Sequence, residues 1–465
     1  MNGSRSSTSR LATFFAVSLL ALSSAPLRAD ALDDYARGRM EQLRLPGMAV
    51  AVFRNGEVST MRTWGSADRE KNVPVARDTV FELGSLTKQF TAVAVMILAE
   101  EGKLTLDESI ARYLPEVPEA WAKITVRNLL THSSGIQEYL ARPDLAKRVH
   151  AAANQEEVTR LLFEGLPLEF GPGDTWAYSN SGYLLLGSII ERTSGMTYSG
   201  FLEKRIFAPL GMRSTRAGDP AKAPKRAVGY DWEGKFVRRD PVPANAFSAG
   251  AIVSTIADMA RWEAALHAGK LLTKESWKEV WTPLALSHGG TPPFSYGFGW
   301  VIDRRHGGPV VLHSGGTAGF SSAIRRYPTE GTAVIVLANR GDRMIDHVAM
   351  EIAAIADPDL GRVRQKDPGP MRSARLHRAV KDLLNGTPDA ELFTPAMQLF
   401  LRTESGRGMW KWIASHGDLR SFRFVEGEPD GNDFVVRYAA RLGDAEYSFT
   451  VTITRQGAIA QIYWW

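Results

Sequence analysis

The chain has 465 residues, 44% hydrophobic and 23% charged, with 12 Trp and 20 Phe; such a composition buries a large core and excludes disorder and fibrous repeats. It contains no cysteine, which excludes disulfides, thiolate metal sites and a cysteine nucleophile. The net charge of +5 falls to +2 once Arg5, Arg10 and Arg28 are removed with residues 1–29, so no basic surface supports nucleic-acid binding.

Arg5 and Arg10 precede the apolar stretch Leu11 to Leu22, which leads to Pro26 and Ala29-Asp30-Ala31. This pattern reads as a secretory signal peptide over 1–29, which places the mature protein in the periplasm or outside the cell. The 12 residues of the apolar stretch fall short of the roughly 20 that a stable membrane span needs. Met48 to Phe53 and Val58 to Trp64 are β-rich runs joined by Asn55-Gly56, which predicts a hairpin with a type I′ turn. Gly84-Ser85-Leu86-Thr87-Lys88 then opens a helix with Phe90, Val93, Met96 and Ile97 apolar, closed by Gly102. From there to about Trp262 the pattern is mostly helical, broken by turns such as Ser134-Gly135 and Gly171-Pro172-Gly173-Asp174.

Strand signals return at Tyr296 to Val301, Val310 to His313, Ser321 to Tyr327 and Thr332 to Ala338. A sheet built from both ends of the chain, with a helical block between, is an α/β arrangement of two lobes. Asp367-Pro368-Gly369-Pro370 reads as a linker, dividing 30–366 from a small α+β domain at 367–465. In that domain Arg375 to Leu384 and Ala390 to Leu401 are predicted helices, and Phe434 to Tyr438 and Tyr447 to Ile453 predicted strands.

Three stretches carry chemistry. Ser85 is the only serine with a lysine three residues later, and on a helix that spacing sets Lys88 beside the serine hydroxyl. A serine needs a group to take its proton, and a desolvated lysine supplies one. Tyr178-Ser179-Asn180 offers a phenol that serves as a base only beside positive charge, and an amide that both donates and accepts; a tyrosine and an asparagine in a surface turn is the other reading. His313-Ser314-Gly315-Gly316 ends an apolar strand, where glycines let a ligand approach the backbone. The Gly-x-Ser-x-Gly elbow, His-Glu-x-x-His and phosphate-binding loops are absent.

In this order the three stretches resemble the signatures of the serine β-lactamase and penicillin-binding-protein superfamily. The likeness is to its class C-like branch of class C β-lactamases, D-alanyl-D-alanine carboxypeptidases and family VIII esterases, in which Tyr-x-Asn replaces Ser-x-Asn. It extends over most of Leu32 to Ala356, including Leu129 to Gly135, Gly250 to Trp262 and Tyr296 to Trp300. The resemblance implies a two-lobed β-lactamase-like fold, an antiparallel sheet flanked by helices plus a helical lobe. It implies Ser85 as nucleophile, Lys88 as its activating partner and Tyr178 as general base and later acid. Asn180 becomes a substrate clamp, His313 with Ser314 and Gly315 the third-motif strand, and Gly316 an oxyanion donor beside Ser85.

One departure matters: the third motif usually begins with lysine, and His313 stands there. A neutral histidine weakens recognition of a carboxylate-bearing substrate and predicts that activity depends on a group titrating near neutrality. The reading is an exported serine hydrolase acting through a Ser85 acyl-enzyme on small esters, amides or peptides. The competing one is a penicillin-binding or sensing protein with little turnover. Neither implies a metal, an organic cofactor or a nucleic-acid partner.

Overall fold

The computed structural model describes residues 29–464 apart from 306–307, 342–344, 362–369, 431–432 and 444. Residues 1–28 of the signal peptide expected over 1–29, and residues 367–369 of the linker expected over 367–370, therefore lie outside the described residues.

Among the described residues the main sheet has seven antiparallel strands. Their order is Val73–Pro74, Glu57–Asp68, Gly47–Arg54, Thr332–Ala338, Phe320–Tyr327, Gly308–Thr317 and Val301–Arg305. Both ends of the 30–366 region thus contribute to it, as the strand signals require. The hairpin turn is built as expected, with Asn55 and Gly56 both in the left-handed region at φ 49° and 80°. Gly47–Arg54 is central, and its alternation sorts its side chains between two cores. Ala49, Ala51 and Phe53 face the helical lobe, while Met48, Val50 and Val52 face the cluster that contains Val348 and Ile352 of the helix Asp346–Ala356.

The helix Thr87–Glu100 runs through the first of these cores, with every residue from Thr87 to Leu98 buried. A helix apolar on nearly all sides is a central one; its length of buried contact holds the preceding turn, Gly84–Leu86, rigidly at its N-terminal end. The block after it is helical as predicted but carries short strands as well. Ile252–Thr255 pairs with Val80–Glu82 and Arg216–Ala217, and Gly229–Trp232 pairs with Phe236–Arg239.

Two predicted elements are corrected. The strand expected at Tyr296 to Val301 begins only at Val301, because Gly299 turns the chain at φ 78°, where an added Cβ would stand 2.7 Å from the Lys88 carbonyl oxygen. The helix expected at Ala390 to Leu401 is a short turn, Ala390–Leu392, then a separate helix, Pro395–Arg402. Pro395 at its first position and Thr394 capping it mark a new start.

The C-terminal region also contains the helices Pro370–Leu384 and Glu404–Ala414 and a four-stranded antiparallel sheet. Its strands are Leu419–Asp430, Asp433–Leu442, Ala445–Ile453 and Ile459–Trp464. Its apolar side is continuous with the core on the far side of Gly47–Arg54, so the described chain has two large cores, not three. No helix among the described residues is long and apolar enough to cross a membrane.

Candidate active site

Ser85 sits on the turn Gly84–Leu86, against the end of the strand Gly308–Thr317. The approach is possible only because glycines face each other. Gly84 has φ 53° and a Cβ there would lie 2.7 Å from the Gly316 nitrogen, while one on Gly315 would meet the Leu83 oxygen at 2.1 Å. The backbones of Ser85 and Gly316, the expected pair of oxyanion donors, are brought side by side.

The three stretches converge on one oxygen. Ser85 Oγ lies 3.2 Å from Lys88 Nζ and 2.8 Å from the Tyr178 hydroxyl, which donates to it. Lys88 is wholly buried, and its other neighbours are Asn180 Oδ1 at 2.7 Å and the Ala249 carbonyl at 2.8 Å. As an ammonium it would donate to all three. As a neutral amine it has two N–H donors, matched by the two acceptor-only oxygens, and one lone pair left for the Ser85 hydroxyl. Burial favours the second form, pushing the Lys88 pKa from 10.5 down to about 7 against the opposing charge of Glu138. Burial acts oppositely on Tyr178, holding its phenol well above the usual range despite the bond to Ser85. At neutral pH the tyrosine therefore keeps its proton while the lysine readily loses its own.

His313 is placed in the third-motif strand as expected and is neutral, but it does not titrate near neutrality. Its Nδ1 is 2.6 Å from the Ser314 carbonyl, which can only accept, so Nδ1 carries the hydrogen and Nε2 accepts from the Tyr296 hydroxyl at 2.8 Å. Burial first, then the charge of Lys88, pushes its pKa down to about 3. His313 is neutral across the working range and does not supply the titration near neutrality; Lys88 does. Beyond it, the strand Val301–Arg305 stops pairing at Leu312, so Ser314 to Thr317 pair within the sheet only with Phe320–Tyr327.

The Beta-lactamase family matches residues 32–356 of this sequence. The chain belongs to the beta-lactamase family. Among its relatives is penicillin-binding protein 4* of Bacillus subtilis, 33% identical over 311 residues, which are 63% of this chain and 67% of that protein. Among solved structures, the octameric penicillin-binding protein homologue from Pyrococcus abyssi is similar with a TM-score of 0.63 and 25% identity, over 91% of this chain and 90% of that one. The D-amino acid amidase from Ochrobactrum anthropi SV3 has a TM-score of 0.57 and 27% identity, over 71% of this chain and 96% of that one.

This beta-lactamase-family site also uses residues that the sequence reading passed over. Glu138 accepts from the backbone N–H of Asn180, from its Nδ2 at 3.2 Å and from the Leu140 N–H at 3.2 Å. It thereby turns the Asn180 oxygen toward Lys88, and the Asn180 amide is engaged within the protein. Burial raises the Glu138 pKa, and the Asn180 N–H opposes the rise. An acid shortly after the Ser134-Gly135 turn is the only signal for it, and surface acids share that signal. Glu82, buried, accepts from the Thr317 hydroxyl at 2.8 Å and pairs with Arg226 at 2.9 Å, tying the strand Val80–Glu82, which leads into the Ser85 turn, to the third-motif strand. His132 has a holding role: its carbonyl accepts from Ala177 N–H at 2.9 Å and its Nδ1 from Ser179 N–H at 3.1 Å, bracketing Tyr178.

Proposed function

We propose that this chain is a serine hydrolase that forms an acyl-enzyme at Ser85 on small amides or esters of the D-amino-acid type. The observation that carries the reading is the shared contact of Lys88 Nζ and the Tyr178 hydroxyl with Ser85 Oγ. Ser85 Oγ attacks the substrate carbonyl carbon while its proton passes to the neutral Lys88 amine, and the Ser85 and Gly316 N–H groups receive the oxyanion. Collapse breaks the bond to the leaving group, which takes the Tyr178 proton. The resulting phenolate sits beside the Lys88 ammonium, which stabilises it. Water then attacks the acyl carbon and gives its proton to Tyr178, and Ser85 leaves with the proton of Lys88, so every group returns to its starting state.

The charge of the site supports the substrate class. His313 is neutral where a lysine would hold a carboxylate, and Glu138 adds a carboxylate beside Asn180. Such a cleft favours neutral or ammonium-bearing acyl groups over anionic ones. The relation to a D-amino acid amidase supports the same class. The test compares D-phenylalanine p-nitroanilide with its N-succinyl derivative on wild type and Ser85→Ala. Faster turnover of the free amine, absent in the variant, is expected. Preference for the succinylated substrate would overturn the substrate class, and a long-lived penicillin adduct without turnover would favour the binding-protein reading.

We further propose export directed by residues 1–29, on the basic, apolar and small-residue pattern at that end. Protein recovered outside the cytoplasm should begin at Asp30, and full-length chain confined to the cytoplasm would contradict it.

A further inference from the structure

We propose that the C-terminal region is a working part of this site: it clamps the two segments that deliver Tyr178 and Tyr296, and so fixes the Tyr178 hydroxyl and the His313 ring. The inference rests on the hydrolase reading for its consequence in rate, and on the contacts for its geometry.

The first segment runs from Glu169 to Tyr178. The Glu404 N–H donates to Glu169 Oε1 at 2.6 Å, the buried Thr175 hydroxyl donates to the Ala396 carbonyl at 2.7 Å, and the Trp176 ring lies 5.7 Å from Phe400. Tyr178 follows two residues on. The second segment runs from Thr291 to Tyr296. The Thr291 hydroxyl donates to Asp433 at 2.9 Å, Gln461 Nε2 donates to the Pro292 carbonyl at 2.9 Å, and Phe294 lies 4.9 Å from Tyr463. Two residues on, Tyr296 donates to His313.

The two segments meet where Trp176 stacks on Phe294, with centroids 4.5 Å apart and planes 12° off parallel. The indole Nε1 is buried with no hydrogen-bond partner, so the ring is held by packing alone, and Phe400 forms one of its walls. The clamp is anchored to the main sheet: buried Arg437 reaches Asp303 on the edge strand at 3.2 Å, and the Tyr463 hydroxyl donates to the same carboxylate at 2.8 Å. Ala396, Phe400, Glu404, Gln461 and Tyr463 all lie beyond residue 356, where the family match ends. These parts of the clamp thus lie outside the stretch that the family match covers.

The experiment uses the full chain with Phe400→Ala, and with the pair Thr175→Val and Gln461→Leu, which removes both clamp hydrogen bonds, and the Thr452–Gln461 bond inside the C-terminal sheet with them, and opens no large cavity. Hydrogen exchange is followed at 169–180 and 291–297, and kcat and KM are measured with a p-nitroanilide. Exchange at both segments should rise while Gly47–Arg54 is unchanged, and kcat should fall about 10- to 100-fold with KM less affected, the scale expected when reacting groups are misplaced by about 1 Å. Phe400→Leu, which refills the wall, should recover most of kcat. Val451→Ala, in the core of the C-terminal sheet, should lower stability and leave kcat unchanged.

Unaltered exchange at both segments in the Phe400→Ala and double variants overturns the clamp, as does an equal loss of kcat in Val451→Ala. If wild type fails to react at Ser85 the hydrolase reading falls separately, and the exchange measurement alone then decides the clamp.

Discussion

Replacing Lys88 with methionine should abolish turnover and yet make the protein more resistant to unfolding at low pH than at high pH, relative to wild type. Lys88 is fully buried and its pKa falls from 10.5 unfolded to about 7 folded. Between those values the unfolded chain binds the extra proton, so stability rises with pH through that window, and the cost of the lysine is full below it. At 1.36 kcal/mol per unit, the cost is about 5 kcal/mol at pH 6 and about 2 kcal/mol at pH 9. Methionine has similar length and no charge, but it strands the Asn180 Oδ1 and Ala249 carbonyl acceptors, at roughly 1 to 3 kcal/mol each. That loss is the same at both pH values and cancels when they are compared. Denaturant unfolding of wild type and Lys88→Met at pH 6 and pH 9 should therefore show a relative stability of the variant that is about 2 to 3 kcal/mol greater at pH 6. A difference independent of pH would refute the neutral-amine assignment.

Other expectations follow from the same geometry. The pH dependence of kcat/KM should rise through about 7 as Lys88 loses its proton, and His313→Gln should leave that limb in place; a shift of the limb in this variant would restore the role that burial denies to His313. Glu138→Gln removes the charge that raises the Lys88 pKa and replaces one of the two acceptor oxygens that orient Asn180 with a donor. The rising limb should move to lower pH and kcat should fall about 10- to 100-fold, and an unmoved limb would separate Glu138 from Lys88. Tyr178→Phe should lower kcat by about 100- to 10,000-fold, the range of lost acid–base catalysis, and a smaller effect on esters with good leaving groups identifies the proton as the one given to the leaving group.

What was legible in the sequence is what depends on local spacing. Ser85 and Lys88 share a helix face, and the Asn55-Gly56 hairpin needs only two left-handed residues, so both were readable directly. Tyr178 and His313 lie 93 and 228 positions from Ser85, and only the resemblance to a family joined them to it before the structure did. Burial was not legible. It takes the titration of His313 away from neutrality and brings that of Lys88 to about pH 7, the reverse of what their ordinary values suggest. Glu138 was missed because its partner, Asn180, is 42 residues away. The helix Glu404–Ala414 was hidden by Gly406 and Gly408, of which Gly406 is required: a Cβ there would meet the Phe400 carbonyl oxygen at 2.2 Å.

The most direct test is the rate at which a fluorophosphonate modifies the protein as a function of pH, with the modified residue located by peptide mass spectrometry. A single adduct on Ser85 is predicted, forming about tenfold faster per pH unit below about 7 and levelling off above it. An adduct at another residue, none at all, or a rate on Ser85 that ignores pH would contradict a nucleophile activated by the neutral amine of Lys88.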